Sequence, residues 1–555
     1  MNHRRVLLRL LVGTLAWIAF QCGVLALAKA PAGSVYVPLD SWVYAAFDRL
    51  AGLGAINTQF SGLRPWTRVE CAQLVTEAER NFTGTETKTA EATALTAALR
   101  QEFREEVDGL KGDPVPQASV ESVYTRALGI TGTPLHDSFN FGQTIADDFG
   151  RPYNTGFNNV TGFSAAASGG RFFAYVREEY QHSPAYAGLT AEQQAFLEMA
   201  HGTPSVPYSQ AAGPVDCLEP LDAYVGFRWS VFDVSVGKQS LWWGPGTMGP
   251  MLYSDNIDPV PMLRLDQVQS IVLPSLLKYL GPVRVQVFFG RLEGYDYPHA
   301  PYIHGEKIMV KPSPNLEMGI SRTVIAFGQG VPFTFRNLIS TYFSVTDIGS
   351  NPNLQDFPGK RFGGLDFAYR LPFLRNWLTV YTDNMTSDDV NPLVNPSRAS
   401  YNPGLYLSHL PGLSKFDLRF EVADSRTHGY PYSSFFYHEG YTNKGFLIGD
   451  TVGRHGSAFD ASSTCWFSPR RRIQVGWRKE TVSKSLIPSG GSQDSVRVKA
   501  DWFVQKETEL SILVQHESWQ FPFLAGGSQN NNVLSLQLTV YPKKLSLRTA
   551  LRTTD

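Results

Sequence analysis

The 555-residue sequence contains few cysteines, and this shortage limits the chemistry that it can support. Of its four cysteines, the three that follow the N-terminal segment are Cys71, Cys217 and Cys465. They are odd in number and far apart, so they show neither a disulfide framework nor a metal-binding spacing. The eleven histidines are scattered, and isolated loop histidines are usually polar surface. We therefore expect no metal and no other cofactor.

Neither acidic nor basic residues predominate in the sequence. The chain has 49 basic and 50 acidic residues, which excludes a whole-chain electrostatic footprint for nucleic acid. After the N-terminal segment the sequence has no run of eighteen consecutive apolar residues. If the protein lies in a membrane, it therefore cannot cross it with helices.

Familiar catalytic motifs are absent too. The sequence has no phosphate-binding glycine loop, no His-Glu-x-x-His and no Gly-x-Ser-x-Gly elbow. Adjacent carboxylates such as Asp147 and Asp148 would point to opposite faces of a strand, so they do not form an acid/base couple. We assign no catalytic residue and predict that the protein is not an enzyme.

The N-terminus has the pattern of an export signal. Arg4 and Arg5 precede an apolar run from Val6 to Ala28, which ends in small-x-small sites suited to signal peptidase. We expect residues 1–30 to be a cleaved signal peptide. A membrane anchor is the alternative interpretation.

Residues 31–112 are predicted to form a small helical bundle. Apolar positions three and four apart indicate a first helix that begins near Asp40 and ends near Gly52. Thr67 and Glu70 form a capping box at the start of a second helix, and residues 89–107 give a third. Because about seventy residues make only a thin core, we expect the bundle to dock onto a larger unit.

From residue 113 onward the apolar period changes to two. Clear alternation occurs at Val283–Val287, Leu418–Val422, Ile473–Trp477, Val496–Trp502 and Leu534–Val540. One apolar and one polar face per strand are typical of an outer-membrane barrel. We predict that residues 113–555 form a large antiparallel transmembrane β-barrel, with room for about sixteen to twenty strands. A soluble β-sandwich or propeller, which also alternates, is the alternative.

The stretch Gly237–Pro261 stands out within this region. Two adjacent tryptophans, Trp242 and Trp243, end a strand-like pattern and are followed by the rigid turn Gly244-Pro245-Gly246. A polar segment containing Ser254 and Asn256 comes next. The paired rings are either a packing plug or a stacking platform for a ligand, and we favour packing.

Aromatic residues crowd two of the predicted long connections, which are residues 293–311 and 425–441. The other long connections are predicted at residues 181–219, 243–263 and 384–414. Aromatic faces pack on the C–H faces of sugars while tyrosine and amide groups bind hydroxyls, so we predict polysaccharide contact there. The candidate residues are Tyr295, Tyr297, Tyr302, His304, Tyr430, Tyr432, Tyr437, His438 and Tyr441. Mutual packing that closes a barrel mouth is the alternative.

Several of these segments, taken in order, resemble the capsule assembly protein Wzi family of Gram-negative bacteria. The resemblance is strongest at Gly237–Gln239, Trp242–Gly246 and Leu252–Asn256, and it is supported by Leu63–Arg68 and Tyr437–Tyr441. It implies an outer-membrane barrel of about 18 strands with the helical bundle at its periplasmic end. It also implies a lectin-like role in holding capsular polysaccharide at the cell surface.

Two hypotheses for function follow. The first is a non-enzymatic surface protein that binds capsular or exopolysaccharide and helps to attach and organise it. Its expected partners are that polysaccharide, outer-membrane lipid and the capsule export machinery. The second is a porin or substrate-specific diffusion channel, with Arg284, Arg419 and Arg478 along its lumen. A hydrolase acting in the lumen is a third, weaker candidate.

Overall fold

A computed structural model describes most of the chain. It covers residues 32–82, 90–110, 116–201, 212–343, 359–374, 376–388, 392–393, 395–428 and 431–542. The expected signal peptide, residues 1–30, lies outside the described residues. So does Tyr430, one of the candidate binding residues.

Four helices precede the first strand. They are α1 (Trp42–Gly52), α2 (Arg68–Phe82), α3 (Ala90–Glu102) and α4 (Arg104–Gly109). Ser41 caps α1, and its Oγ accepts a hydrogen bond from the Val43 amide. The predicted third helix is split into α3 and α4 at Phe103, whose ring is fully buried. None of the helices in the described ranges is both long and apolar enough to cross a membrane.

The capping box at the start of α2 is present. The Thr67 amide donates to Glu70 Oε2 at 2.7 Å, and the Glu70 amide donates to Thr67 Oγ1 at 3.2 Å. The two side chains thus satisfy each other's orphan backbone donors.

The rest of the chain forms a closed antiparallel barrel of 18 strands. The wall strands are β1 (Gln117–Thr131), β2 (Gly156–Gly169), β3 (Phe172–Ser183), β4 (Val215–Trp229), β5 (Phe232–Gln239), β6 (Val260–Gln267) with its short continuation β7 (Ile271–Val272), β8 (Pro282–Arg291), β9 (Tyr302–Ser313), β10 (Leu316–Ala326), β11 (Lys360–Arg370), β12 (Leu378–Ser387), β13 (Ala399–Leu407), β14 (Phe416–Asp424), β17 (Gly456–Ser468), β18 (Arg471–Val482), β19 (Gly491–Gln505), β20 (Thr508–Gln520) and β21 (Gln529–Val540). Two short strands, β15 (Thr442–Asn443) and β16 (Phe446–Leu447), form a separate hairpin. Pairing of β1 with β21 closes the barrel.

The alternation in the sequence explains how the wall is oriented. On β18 the apolar Val475 and Trp477 are exposed on the outer face, whereas Arg478 and Glu480 face inward and pair at 2.9 Å. The same division holds on β21, where Leu534 and Leu536 are exposed outward. The outside is therefore apolar and the lumen polar, as expected for strands that separate lipid from a lumen. The predicted barrel is confirmed.

Short and long connections separate to opposite ends of the barrel. Two-residue turns join β2 to β3, β4 to β5 and β9 to β10 at the end that we call the short-turn mouth. The opposite end, the long-loop mouth, carries longer connections, whose described residues are 132–155, 184–201, 212–214, 240–259, 327–343, 359, 425–428 and 431–455. Helix α5 (Ala191–His201) lies in one of these connections and α6 (Phe335–Phe343) in another.

Two of the predicted loops, residues 293–311 and 384–414, are shorter in the structure than predicted. Tyr302 and His304, placed in a loop by the sequence analysis, lie in β9, and residues 399–407 form β13. Aromatic and histidine content suggested an irregular loop at Tyr302 and His304. Ladder hydrogen bonds to β8 and β10 instead carry the strand through them.

The helical bundle is seated in the short-turn mouth. Asp40 pairs with Arg177 of β3 at 2.9 Å, and Glu70 pairs with Arg284 of β8 at 2.6 Å. Arg370 of β11 donates to the Ile56 carbonyl at 2.7 Å. Trp466 and Phe503 of the wall join the bundle's own apolar core. The thin core predicted for the bundle is thus completed by the barrel.

Candidate functional site

The stretch Gly237–Pro261 begins in β5 and then turns into the lumen. Gly237 has φ of 138°, and a Cβ there would lie 2.1 Å from the Ala223 carbonyl oxygen, so only glycine fits. A Cβ on Gly244 would meet Pro250 at 2.6 Å. Pro245 and Gly246 are buried beside it. These residues set the path of residues 240–259 into the barrel interior.

Trp242 and Trp243 lie inside the barrel. Trp243 is 1% exposed, its Nε1 donates to Gln286 Oε1 of β8 at 2.6 Å, and its ring meets Phe288 edge-on at 5.4 Å. The Trp242 backbone exchanges two 3.0 Å hydrogen bonds with Arg64, which precedes α2. The pair therefore joins the barrel wall to the bundle, and neither ring offers a face to solvent.

Wall carboxylates hold the backbone of the same segment. Asp383 of β12 accepts from the Met251 amide at 2.6 Å. Glu421 of β14 accepts from the amides of Thr247 and Met248 at 2.8 and 2.6 Å. Residues 240–259 leave β5 and are thus also fixed to β12 and β14, the two neighbours of β13 in the wall.

The connection between β14 and β17 packs on this segment from the long-loop side. The hydroxyls of Tyr432 and Tyr441 donate to the carbonyls of Met251 and Leu252, both at 2.8 Å. The Ser254 amide donates to the Ile448 carbonyl at 2.8 Å. Asn256 Nδ2 donates to the Leu447 carbonyl at 3.1 Å. We call residues 240–259 and 431–455 together the loop plug.

Buried carboxyl groups lie where the plug meets the connection between β1 and β2. Burial raises the pKa of Asp147 to about 7, and Arg478 partly opposes that rise. Burial also raises the pKa of Asp255, and the nearby Asp147 adds to the effect. The pKa of Asp450 is raised by burial as well. Burial therefore makes each of these carboxyl groups easier to protonate than a free aspartate.

The candidate aromatic residues do not form one surface. The buried ones are Tyr295, His304, Tyr432, Tyr437 and Tyr441. Tyr302 and His438 are half-buried, and Tyr297 is 43% exposed. The hydroxyl of Tyr295 donates to the Gly440 carbonyl, and that of Tyr437 to the Phe327 carbonyl. Contact of any candidate with polysaccharide stays a prediction.

One group of rings does reach solvent at the long-loop mouth. Tyr297 stacks on His438 with ring centroids 4.7 Å apart and meets Phe436 at 5.9 Å. Phe435 beside them is 84% exposed. Burial lowers the pKa of His438, so its imidazole is neutral at pH 7. We call Tyr297, Phe435, Phe436 and His438 the aromatic ledge.

The sequence analysis missed the groups that anchor the plug. Asp383, Glu421 and Gln286 sit at inward positions of strands, where any polar residue satisfies the alternating pattern. Their partners are more than forty residues away along the chain, and no local signal marks such a pairing. Helix α6 was also missed, although the hydrogen bond from the Asn337 amide to Thr334 Oγ1 marks an ordinary N-cap.

A closed barrel with an apolar outside and a polar, filled lumen defines an outer-membrane β-barrel protein. Comparison with known families identifies which one. The family model of the capsule assembly protein Wzi matches residues 127–534, and the chain belongs to this family.

Individual relatives are more distant. A Klebsiella pneumoniae protein described as an uncharacterized 55.8 kDa protein in the cps region is 26% identical over 196 residues. That match covers 35% of this chain and 38% of the relative, so the chain spans little more than a third of that relative's length.

Among solved structures, the Escherichia coli protein Wzi matches with a TM-score of 0.66 at 17% identity. The match covers 93% of this chain and 100% of that one. The E. coli protein is described as an outer-membrane protein involved in group 1 capsule assembly and as a carbohydrate-binding β-barrel. Similarity at this identity establishes the shared fold.

Proposed function

We propose that the protein binds capsular polysaccharide at its long-loop mouth and holds it at the outer face of the outer membrane. The observation that carries this proposal is the aromatic ledge, a set of stacked rings open to solvent above a filled lumen. Aromatic faces of this kind pack on the C–H faces of sugar rings. The description of the E. coli protein as carbohydrate-binding supports the proposal.

The orientation in the membrane is part of the proposal. Outer-membrane barrels have short periplasmic turns and longer extracellular loops. The aromatic ledge would then face the medium, and the helical bundle would face the periplasm. There the bundle would be accessible to the capsule export machinery, the third partner expected from the sequence.

The filled lumen favours binding over transport or catalysis. The plug places Trp243, Tyr432 and Tyr441 in one apolar cluster in the middle of the barrel. A diffusion channel needs an open aqueous path along that axis. We therefore propose a non-enzymatic lectin rather than a porin.

Removal of the two stacked rings of the ledge tests the proposal. Tyr297→Ala with His438→Ala should weaken binding of the purified protein to its own strain's polymer by roughly thirtyfold, because two ring contacts are lost. Each ring contact is worth roughly 1 kcal/mol, and 1.4 kcal/mol is a factor of ten. Binding is measured by biolayer interferometry on immobilised polymer.

Matched controls separate a contact effect from a general one. Tyr297→Phe keeps the ring and should bind nearly as the wild type does. Tyr279→Ala removes a tyrosine that is 71% exposed at the short-turn mouth, and it should leave binding unchanged. Equal binding by the double variant and the wild type would refute the ledge as the site.

A further inference from the structure

Helix α6 lies against the outside of the barrel. Residues 304, 306 and 308 of β9 share one face, and Ile308 on that face is exposed, whereas Lys307 points inward to Asp366 at 2.8 Å. The face of His304 is thus the outer, lipid-facing one. His304 is nevertheless fully buried, because α6 covers it.

The inner face of α6 satisfies a polar patch on this outer wall. His304 Nε2 lies 3.0 Å from Thr341 Oγ1, and the imidazole stacks on Tyr342 with centroids 4.3 Å apart. His304 Nδ1 is 2.7 Å from Glu306 Oε1. A charged side chain on the lipid face of a barrel is costly, most of all near the bilayer midplane. The helix removes this cost by covering the patch.

Arg322 of β10 completes the patch. Its guanidinium donates to the carbonyls of Thr341 and Tyr342, both at 3.0 Å. These carbonyls belong to the last turn of α6, where backbone acceptors lack helical partners and carry partial negative charge. The Arg322 guanidinium at the end of the helix therefore provides a donor for each of these two carbonyls. These contacts join the polar side of α6 to the outer wall.

The opposite side of α6 is apolar and exposed. Phe335, Ile339 and Phe343 recur every four residues and so form one stripe, and Phe335 is 78% exposed. This stripe continues the apolar outer wall formed by Ile308 and by Ile320, which is 64% exposed. Among the described residues, none of the apolar clusters includes this stripe.

We propose that α6 is an interfacial helix whose stripe lies among the lipid acyl chains of the outer membrane. A second copy of this chain would fit less well, because three side chains expose far less than the roughly 1,200–2,000 Å² that stable interfaces bury. The apolar stripe and the polar inner face suit a helix lying in the membrane plane. The helix thus covers a polar patch of the barrel's outer wall and presents an apolar surface in its place.

Depth-dependent fluorescence quenching tests this placement. A fluorescent label is attached to Phe335→Cys in a full-length Cys217→Ser, Cys465→Ser background and, separately, to Ile339→Cys. The protein is reconstituted in phosphatidylcholine vesicles with spin labels on the acyl chains. Ile320→Cys on the lipid-facing wall is the positive control. Phe435→Cys on the aromatic ledge is the negative control.

Both labels on α6 should be quenched about as strongly as the label at position 320, and several-fold more than the label at position 435. Quenching no stronger than at position 435 would overturn the proposal. A chemical cross-link between two chains through the same cysteines, before they are labelled, would also overturn it, since it would place a second copy on the stripe. Phe335 is largely exposed, so its replacement should leave the barrel folded.

Discussion

The intact chain will carry almost no steady ionic current in a planar lipid bilayer. An 18-stranded barrel with an empty lumen would leave an aqueous channel. Here residues 240–259 leave β5 and are held inside the barrel by Asp383 of β12 and Glu421 of β14. The helical bundle narrows the other mouth. Frequent long-lived open-channel currents from the intact chain would revive the porin hypothesis.

A variant that lacks most of the loop plug should carry a steady ionic current in the same measurement. Replacing residues 245–252 and 431–448 with short glycine–serine linkers removes most of the plug. The remaining obstacle is then the bundle, and a cavity of about 460 Å³ lies between it and the wall strands β1, β3, β19, β20 and β21. Ions should pass along this cavity. If the shortened chain folds but stays silent, the bundle alone closes the barrel.

Trp243→Ala should be among the most destabilising single substitutions in the plug. Removing a fully buried large aromatic side chain costs about 3–5 kcal/mol, because the lost burial and the new cavity add. The change also leaves Gln286 without the donor at 2.6 Å. Urea unfolding of the reconstituted protein, followed by tryptophan fluorescence and electrophoretic mobility, measures the loss.

Trp377→Ala is the matched control for this experiment. Trp377 is partly exposed in the connection between β11 and β12, so its loss should cost less than about 1 kcal/mol. A Trp243→Ala protein of wild-type stability that binds polysaccharide poorly would favour the stacking-platform interpretation instead. The packing role of the pair stays a prediction until this comparison is made.

Local patterns predicted the architecture because they are local in origin. The two-residue period of Leu534–Val540 follows from lipid on one face and lumen on the other, and it needs no knowledge of distant residues. The capping box of Thr67 and Glu70 spans only four residues. Both could therefore be recognised in the sequence alone.

The site could be predicted only in outline because its contacts are distant along the chain. Tyr432 and Tyr297 look alike in sequence, yet Tyr432 bonds Met251, 181 residues away, and is buried. Tyr297 remains at the surface. Likewise, the polar outward positions of β9 and β10 gave no hint that α6 would cover them. Composition predicts which loops are rich in aromatic residues, and the fold decides which of their rings are exposed.

Attachment of the capsule to living cells tests the central claim most directly. The fraction of polymer that remains cell-bound is measured in a strain that lacks this gene and in the same strain carrying the wild-type or the Tyr297→Ala, His438→Ala gene. We expect total polymer to be unchanged, the bound fraction to fall several-fold without the gene, and only the wild type to restore it. A capsule that stays fully attached in the deletion strain would contradict the account.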